Sequence, residues 1–309
     1  MKSYNELLTE YKKVFNDKET LRAFLFELCN EQGIDLYMDK DNEANPVVAR
    51  KFIDGVKRLA NDEPLNYVLG YSYFYGYKMV VNKNVLIPRF ETEELVGLIL
   101  SHIDQYKNDK QKLTLADIGT GSGAIAIALK KEESRLDVHA SDISMEAIEV
   151  AKENAKNNDA DISFYCGSML DPIIEQKLKL DILVSNPPYI KNDEVLENSV
   201  KGFEPHVALF GGSDGLKFYR MIFKDAHKVM KENGMLFFEM GYDQKDNLTK
   251  LAQEYFKDAN IKVYKDINKK NRMLAICLWF HTNYTLSCYK LIKRKVNFFS
   301  LKVFQIIKR

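Results

Sequence analysis

Apolar positions in the first 68 residues recur at helical spacing. Leu7, Leu8, Tyr11 and Phe15 form one stripe, Leu21, Phe24, Leu25 and Leu28 a second, and Val47, Val48, Phe52, Val56 and Leu59 a third. Steps of three and four residues put each set on one face of a helix, so 1–68 reads as a small all-helical domain. The period then changes. From Tyr71 to Val81 tyrosines are interleaved with glycine, which reads as a β-hairpin, and 69–85 is assigned as a hairpin linker. Beyond it, in 86–280, short apolar runs alternate with helical stretches, the pattern of an α/β domain with a mostly parallel sheet.

One run, Leu113 to Ile118, enters the turn Gly119-Thr120-Gly121-Ser122-Gly123 and is followed by Ala124-Ile-Ala-Ile-Ala-Leu129, a good helix start. The spacing Asp-x-Gly-x-Gly-x-Gly differs from the Gly-x-Gly-x-x-Gly loop that seats a pyrophosphate. It suits S-adenosylmethionine, which has no phosphate. Glycines let the backbone approach the methionine and adenosyl parts where a Cβ would intrude, and the helix N-terminus faces the methionine carboxylate. A carboxylate for the ribose hydroxyls is expected at the end of the next strand, about 20 residues on. Asp142 closes the run Leu136 to Asp142, 19 positions after Gly123, and precedes a helix predicted over 144–157 with Ile148, Ala151 and Ala155 on one face. A helix-capping aspartate is the plainer reading of Asp142; ribose binding is preferred. The following strand, Asp161 to Gly167, delivers Ser168-Met169-Leu170. Met169 is the candidate adenine contact, with core packing as its alternative.

A second motif stands where the run Asp181-Ile-Leu-Val184 ends, at Asn186-Pro187-Pro188-Tyr189. Open α/β sheets bind ligands in the crevice beyond the strand ends. Two prolines fix φ and supply no N–H, so this segment is stiff and its carbonyls are not consumed by a ladder. The Asn186 side-chain oxygen and the Pro187 carbonyl form a pair of acceptors for a planar NH2 group, with Tyr189 against its flat face. Adenine N6, guanine N2 and a glutamine side-chain amide all present such a group. A proline-stiffened loop that merely ends a strand is the other reading.

Five blocks together resemble the peptide chain release factor protein-(glutamine-N5) methyltransferases. They are Glu63-Pro64-Leu-Asn-Tyr-Val-Leu-Gly70, Val85-Leu-Ile-Pro88-Arg89-Phe-Glu91-Thr92-Glu93, Asp117 to Gly123, Ser185-Asn186-Pro-Pro-Tyr-Ile190, and Phe203-Glu204-Pro205 to Leu216. The resemblance spans roughly 1–280. Related enzymes that act on ribosomal protein L3 carry a Pro-Arg-Ser-Pro type sequence at the second block. The resemblance implies a Rossmann-like class I methyltransferase with a seven-stranded sheet whose last strand is antiparallel, the final pair being 261–267 and 273–280 joined by Asn268-Lys-Lys-Asn271. It puts Gly119, Thr120, Gly121, Ser122, Gly123, Asp142, Met169 and Asn186 at the cofactor, and Asn186, Pro187, Pro188 and Tyr189 on the substrate glutamine as the catalytic group. Arg89, Glu91 and Glu93 would lie over the cofactor mouth, or form a surface ion cluster. It also gives the helical domain to the release factor; from residues alone that domain could equally dimerise or bind nucleic acid. The reaction needs no metal and no side-chain base, since aligning the amide nitrogen with the methyl group and excluding water is the main task. His206, near the fifth block, is assigned a loop role.

Composition refines the choice of substrate. The last 29 residues hold seven of the chain's 45 Lys and Arg and none of its 44 Asp and Glu, leaving 38 bases against 44 acids in 1–280. A net of −6 is a poor footprint for a phosphate backbone, so a protein acceptor is preferred over an adenine or guanine of a nucleic acid. Cys29, Cys166, Cys277 and Cys288 lie far apart and read as reduced thiols of a cytoplasmic protein. Nothing reaches the length of a membrane span, and a monomer is the default state. The tail, 281–309, is basic and apolar. It is either an amphipathic helix that docks on an acidic surface or a membrane, or a poorly ordered extension.

Overall fold

The computed structural model describes residues 2–104 and 111–278; the tail and the last residues of the expected final strand lie outside them. In chain order the elements are α1 (Tyr4–Tyr11), α2 (Lys18–Glu31), α3 (Leu36–Asp39), α4 (Pro46–Leu59), α5 (Leu65–Leu69), β1 (Tyr71–Phe74), β2 (Tyr77–Val80) and α6 (Phe90–Ile103). There follow β3 (Leu113–Ile118), α7 (Ala124–Glu132), β4 (Leu136–Asp142), α8 (Met145–Asn157), β5 (Ile162–Cys166), α9 (Asp171–Glu175) and β6 (Leu180–Ser185). The described residues close with α10 (Asn198–Phe203), α11 (Lys217–Val229), β7 (Met230–Glu239), α12 (Lys245–Tyr255), β8 (Asn260–Lys265) and β9 (Asn271–Cys277). These fall into two compact units, 1–72 with 195–204, and 73–194 with the described residues from 205 onwards.

The first unit is helical because its sequence starts helices repeatedly. Ser3, Asp17, Asp35 and Asn45 each accept the backbone N–H groups of the turn that follows, and such a cap is worth about 1 kcal/mol. The three apolar stripes meet in one core, with Leu25, Phe52 and Val56 fully buried and the Phe24 and Phe52 rings stacked at 5.6 Å. Gly55 is where α4 admits the Phe24 ring: a Cβ there would stand 2.2 Å from Phe24 Cζ. Val195–Glu204, which follows the Asn-Pro-Pro-Tyr segment and carries α10, groups with this unit. No periodicity in so short a stretch marks it out.

The second unit is a seven-stranded sheet in the order β5-β4-β3-β6-β7-β9-β8. All neighbours pair parallel except β9, which is antiparallel to both β7 and β8. Its central strands are buried on both faces, and alternation decides which side each residue serves. Ile182, Val184, Met235 and Phe237 join the core under α6 and α7, whereas Leu183, Leu236 and Phe238 join the core under α11 and α12. The arrangement is the α/β sheet with a single antiparallel strand expected above, with strand ends shifted by one or two residues, as fraying allows.

Two features of this sheet position the site. The strand order reverses at β3, which has β4 on one side and β6 on the other; connections that leave in opposite directions open a crevice there. The C-terminal ends of β3 and β6 are then tied together, because Ser185 Oγ donates to the Ile118 carbonyl at 2.6 Å.

Adding a methyl group at position 55 forces the Phe24 ring out of its seat. Gly55→Ala should therefore destabilise the helical unit by about 1–3 kcal/mol, visible as a lower thermal midpoint of the full chain. An unchanged midpoint would show that the ring can move without cost.

Candidate active site

The glycine turn leaves β3 at the crevice with its backbone already committed. The N–H groups of Gly119 and Thr120 both donate to the Ser141 carbonyl, at 2.8 and 3.0 Å, which staples the turn to the end of β4. Gly119 and Gly121 have φ of 73° and 55°, the left-handed region that costs a side-chain-bearing residue roughly 1–2 kcal/mol. A Cβ at either would meet nothing within 4 Å, so side chains there would project into open space. Gly123, with φ 81°, differs in that its Cβ would also press on Ala151 of α8 at 3.1 Å, so close helix packing adds to what requires glycine there. The turn is also held from behind. Asn154 of α8, fully buried, donates to the Ser122 carbonyl at 2.9 Å and exchanges two hydrogen bonds with the Val80 backbone of β2, at 2.6 and 3.0 Å.

Asp142 lies beside this turn, not on a helix cap. Its carboxylate accepts from Gly121 N–H at 2.9 Å and from Ser144 N–H at 3.0 Å, while Ser144 itself caps α8. Burial raises the Asp142 pKa and those N–H donors oppose the rise. Behind it, Asp117 is wholly buried. The Thr120 hydroxyl donates to one of its oxygens at 2.6 Å, and the other oxygen has no hydrogen-bond partner among the described residues. Burial pushes Asp117 up to about 7, the Thr120 hydroxyl opposing and Asp142 adding to the rise. Two acids behind an open glycine turn suit a ligand that carries a sulfonium and an ammonium group and offers ribose hydroxyls as donors. Met169 has φ 47° and its carbonyl accepts from Ser141 Oγ at 3.3 Å, with its side chain half-buried against the core under α11 and α12.

Asn186 to Tyr189 sit at the end of β6, in the same crevice. The loop after α10 and Gln244, at the start of α12, grip the segment from outside. Ile190 N–H donates to Leu209 O at 3.1 Å, Gly211 N–H to Ile190 O at 2.7 Å, and Gln244 Nε2 to Tyr189 O at 3.1 Å. The grip is close enough to require glycine: a Cβ on Gly211 would stand 2.5 Å from Pro188 O, and one on Gly215 2.3 Å from Tyr189 O. The Pro187 carbonyl, by contrast, accepts nothing from the described residues.

Beneath the tetrapeptide runs a buried polar network. Glu239, at the end of β7 and 2% exposed, accepts from the Thr92 hydroxyl at 2.6 Å and from the Tyr189 hydroxyl at 3.1 Å, and its own carbonyl takes the Tyr219 hydroxyl at 2.7 Å. Thr92 in turn stands 3.3 Å from Asn186 Nδ2. Burial raises the Glu239 pKa, while the Thr92 hydroxyl and the Arg272 charge hold it down.

Comparison with known proteins decides the family. Residues 96–203 match the model described as methyltransferase small domain. A release factor glutamine methyltransferase of Bacillus cereus is 42% identical over 241 residues, covering 77% of this chain and 85% of that one. Its Staphylococcus aureus counterpart is 36% identical over 281 residues, covering 89% of this chain and 99% of the relative. The chain belongs to the release factor glutamine methyltransferase family. Among solved structures, the hMettl16 catalytic domain in complex with a MAT2A 3'UTR hairpin has a TM-score of 0.50 at 16% identity, covering 74% of this chain and 83% of that one. At that identity the likeness concerns the fold.

Within this methyltransferase family member the crevice gathers the glycine turn, Asp142, Met169 and Asn186 to Tyr189. Of the acids near Arg89, Glu93 accepts Tyr75 N–H at 2.8 Å and so holds the hairpin, and Glu94 accepts Ile267 N–H at 3.1 Å. His206 lies in a short 3-10 turn with its ring edge-on to Phe210. The sequence pattern gives no role to Thr92, Asn154 or Glu239. Glu239 carried a usable signal, a lone acid closing the apolar run Met235 to Phe238, as Asp142 closes its own strand.

Because Asp117 has a folded pKa near 7 against an ordinary 3.8, its contribution to stability is full below about pH 4 and is lost as pH rises through about 7. Asp117→Asn removes that titration, so the fall in stability from about pH 4 to above pH 7 should shrink relative to the parent in urea unfolding. An unchanged slope would mean that Asp117 is ionised across the whole range.

Proposed function

We propose that this chain transfers the methyl group of S-adenosylmethionine to the side-chain amide nitrogen of the glutamine in the Gly-Gly-Gln motif of peptide chain release factors. The observation that carries the reading is the pair of acceptors, the Asn186 side chain and the unengaged Pro187 carbonyl, beside an open glycine turn at the strand-order reversal. Gly119, Thr120, Gly121, Ser122 and Gly123 line the cofactor, Asp142 takes the ribose hydroxyls, and Met169 borders the adenine. When bound, S-adenosylmethionine supplies a methyl group already activated by its sulfonium. The rest falls to the protein.

An amide nitrogen is a weak nucleophile because its lone pair is delocalised. Two acceptors on its hydrogens return density to nitrogen as positive charge develops, an effect stronger in the transition state than in the ground state. Rigidity makes this effective, since acceptors fixed by Pro187, Pro188 and the Gln244 and Gly211 clamp need not reorganise during reaction. The Tyr189 hydroxyl is spent on Glu239, which leaves its ring to wall the amide site. A proton leaves to solvent after transfer.

A protein acceptor suits the charge of the helical unit, which carries 10 Lys and Arg against 13 Asp and Glu in 1–72. Unlike a basic groove, such a surface does not attract a phosphate backbone. Tyr37 and Met38, 52% and 81% exposed, offer it apolar contacts for a release factor. A cytoplasmic monomer fits these features, and no helix among the described residues is long and apolar enough to cross a membrane.

Two substitutions separate chemistry from cofactor binding. Asn186→Ala should abolish transfer to a release factor while lowering cofactor affinity only modestly, and Asp142→Ala should raise the cofactor dissociation constant. Activity of Asn186→Ala within about tenfold of the parent, the loss of a single ordinary hydrogen bond, would remove Asn186 from the mechanism.

A further inference from the structure

We propose that Thr92 and Glu239 form a hydrogen-bond relay that fixes which end of the Asn186 amide faces the substrate, making Thr92 a positioning and specificity residue. The inference rests on the glutamine-amide reading given above. An asparagine side chain is nearly symmetrical in shape; its oxygen and NH2 ends differ only in what they bond. If the NH2 end faced the crevice, it would meet the NH2 of a glutamine, donor against donor, and the site would not hold its substrate. Something must therefore set the polarity of Asn186, and the neighbour that can do so is Thr92.

The relay is read from the buried end outward. Glu239 is 2% exposed and Thr92 4% exposed. Both Glu239 oxygens face hydroxyls, Thr92 at 2.6 Å and Tyr189 at 3.1 Å. The Arg272 charge and the two hydroxyls favour the ionised form of Glu239 against its burial, and an ionised carboxylate only accepts, so the Thr92 hydroxyl spends its single hydrogen on Glu239. What remains on Thr92 Oγ1 is a lone pair. It can be satisfied at 3.3 Å by Asn186 Nδ2 and not by Asn186 Oδ1. The NH2 end is thereby held towards Thr92, and the oxygen end is left to accept. Burial strengthens the preference, because a reversed amide would set two oxygens against each other away from water.

The relay has a consequence for specificity. A presented oxygen accepts the NH2 of glutamine and repels the carboxylate of glutamate, although the two side chains have the same shape. Rejection of an isostere with the wrong hydrogen-bond polarity comes from buried polar groups that cannot re-pair.

The test uses the full chain, methyl-labelled S-adenosylmethionine, a release factor as acceptor, and its Gly-Gly-Gln to Gly-Gly-Glu variant as competitor. Thr92→Val keeps the shape and removes the hydroxyl. It should lower kcat at least about tenfold, as expected when an oriented polar contact in an active site is lost, with the cofactor dissociation constant nearly unchanged. The Gly-Gly-Glu competitor should inhibit the valine variant more strongly than the parent, because an amide free to turn can donate to a carboxylate. Thr92→Ser restores the hydroxyl and should stay within about threefold of the parent, less than the cost of one hydrogen bond. Parental kcat in Thr92→Val would overturn the relay, and so would a serine variant as slow as the valine one. If the valine variant fails to bind cofactor, Glu239→Leu decides: it leaves no acceptor for the Thr92 hydrogen, so the hydroxyl can turn to Asn186 Oδ1 and release the amide, and a parental kcat there also overturns the proposal. A parent chain that leaves the release factor unlabelled contradicts the substrate reading instead, so the two failures are distinct.

Discussion

The parallel pairing of β3 with β6 is the constraint on which the site depends. Leu115, Ala116 and Asp117 run beside Ile182, Leu183 and Val184, so both strands end at the same level, and the Ser185 hydroxyl locks the ends together. Because the strand order reverses there, the glycine turn after β3 and the Asn-Pro-Pro-Tyr segment after β6 share one crevice. Methyl transfer is a problem of placing two groups in line, and misplacement of about 1 Å costs roughly a hundredfold in rate. A sheet buried on both faces is close-packed and of low compressibility, which gives a rigid frame for that placement.

Polar groups complete what the sheet begins. Asp117, Asp142 and Glu239 stand at the ends of β3, β4 and β7, and burial raises the pKa of each. Buried acids cost stability unless hydrogen-bonded, and these three are held by hydroxyls and backbone N–H groups of the loops they organise. Asp142 holds Gly121, Asp117 holds Thr120, and Glu239 holds Thr92 and Tyr189. Their placement ties loop geometry to strand ends, so the crevice is shaped before ligands arrive.

Much of this was legible in the residues. Short apolar runs ending in turn chemistry announced β3, β4 and β6, and three positive-φ glycines mark a turn that only glycine enters without strain. The clamp of Gly211 and Gly215 on the Pro188 and Tyr189 backbone gives the block from Phe203 to Leu216 a structural reason to be a motif. What stayed hidden was long-range. Thr92 and Glu239 are 147 positions apart, and Val80 and Asn154 are 74 apart; no local pattern reports a hydrogen bond across such separations. The grouping of Val195–Glu204 with the helical unit was invisible for the same reason.

The central claim is that the crevice accepts the amide of a glutamine presented by a protein. Its most direct test is to incubate the full chain and labelled S-adenosylmethionine with a recombinant release factor, its Gly-Gly-Gln to Gly-Gly-Ala variant, and separate DNA and RNA samples, and then to locate the label. Label confined to the wild-type factor, on its glutamine side chain, is the expected result. Label on the alanine variant or on nucleic acid would contradict the account, assigning the two acceptors of Asn186 and Pro187 to a different planar amine.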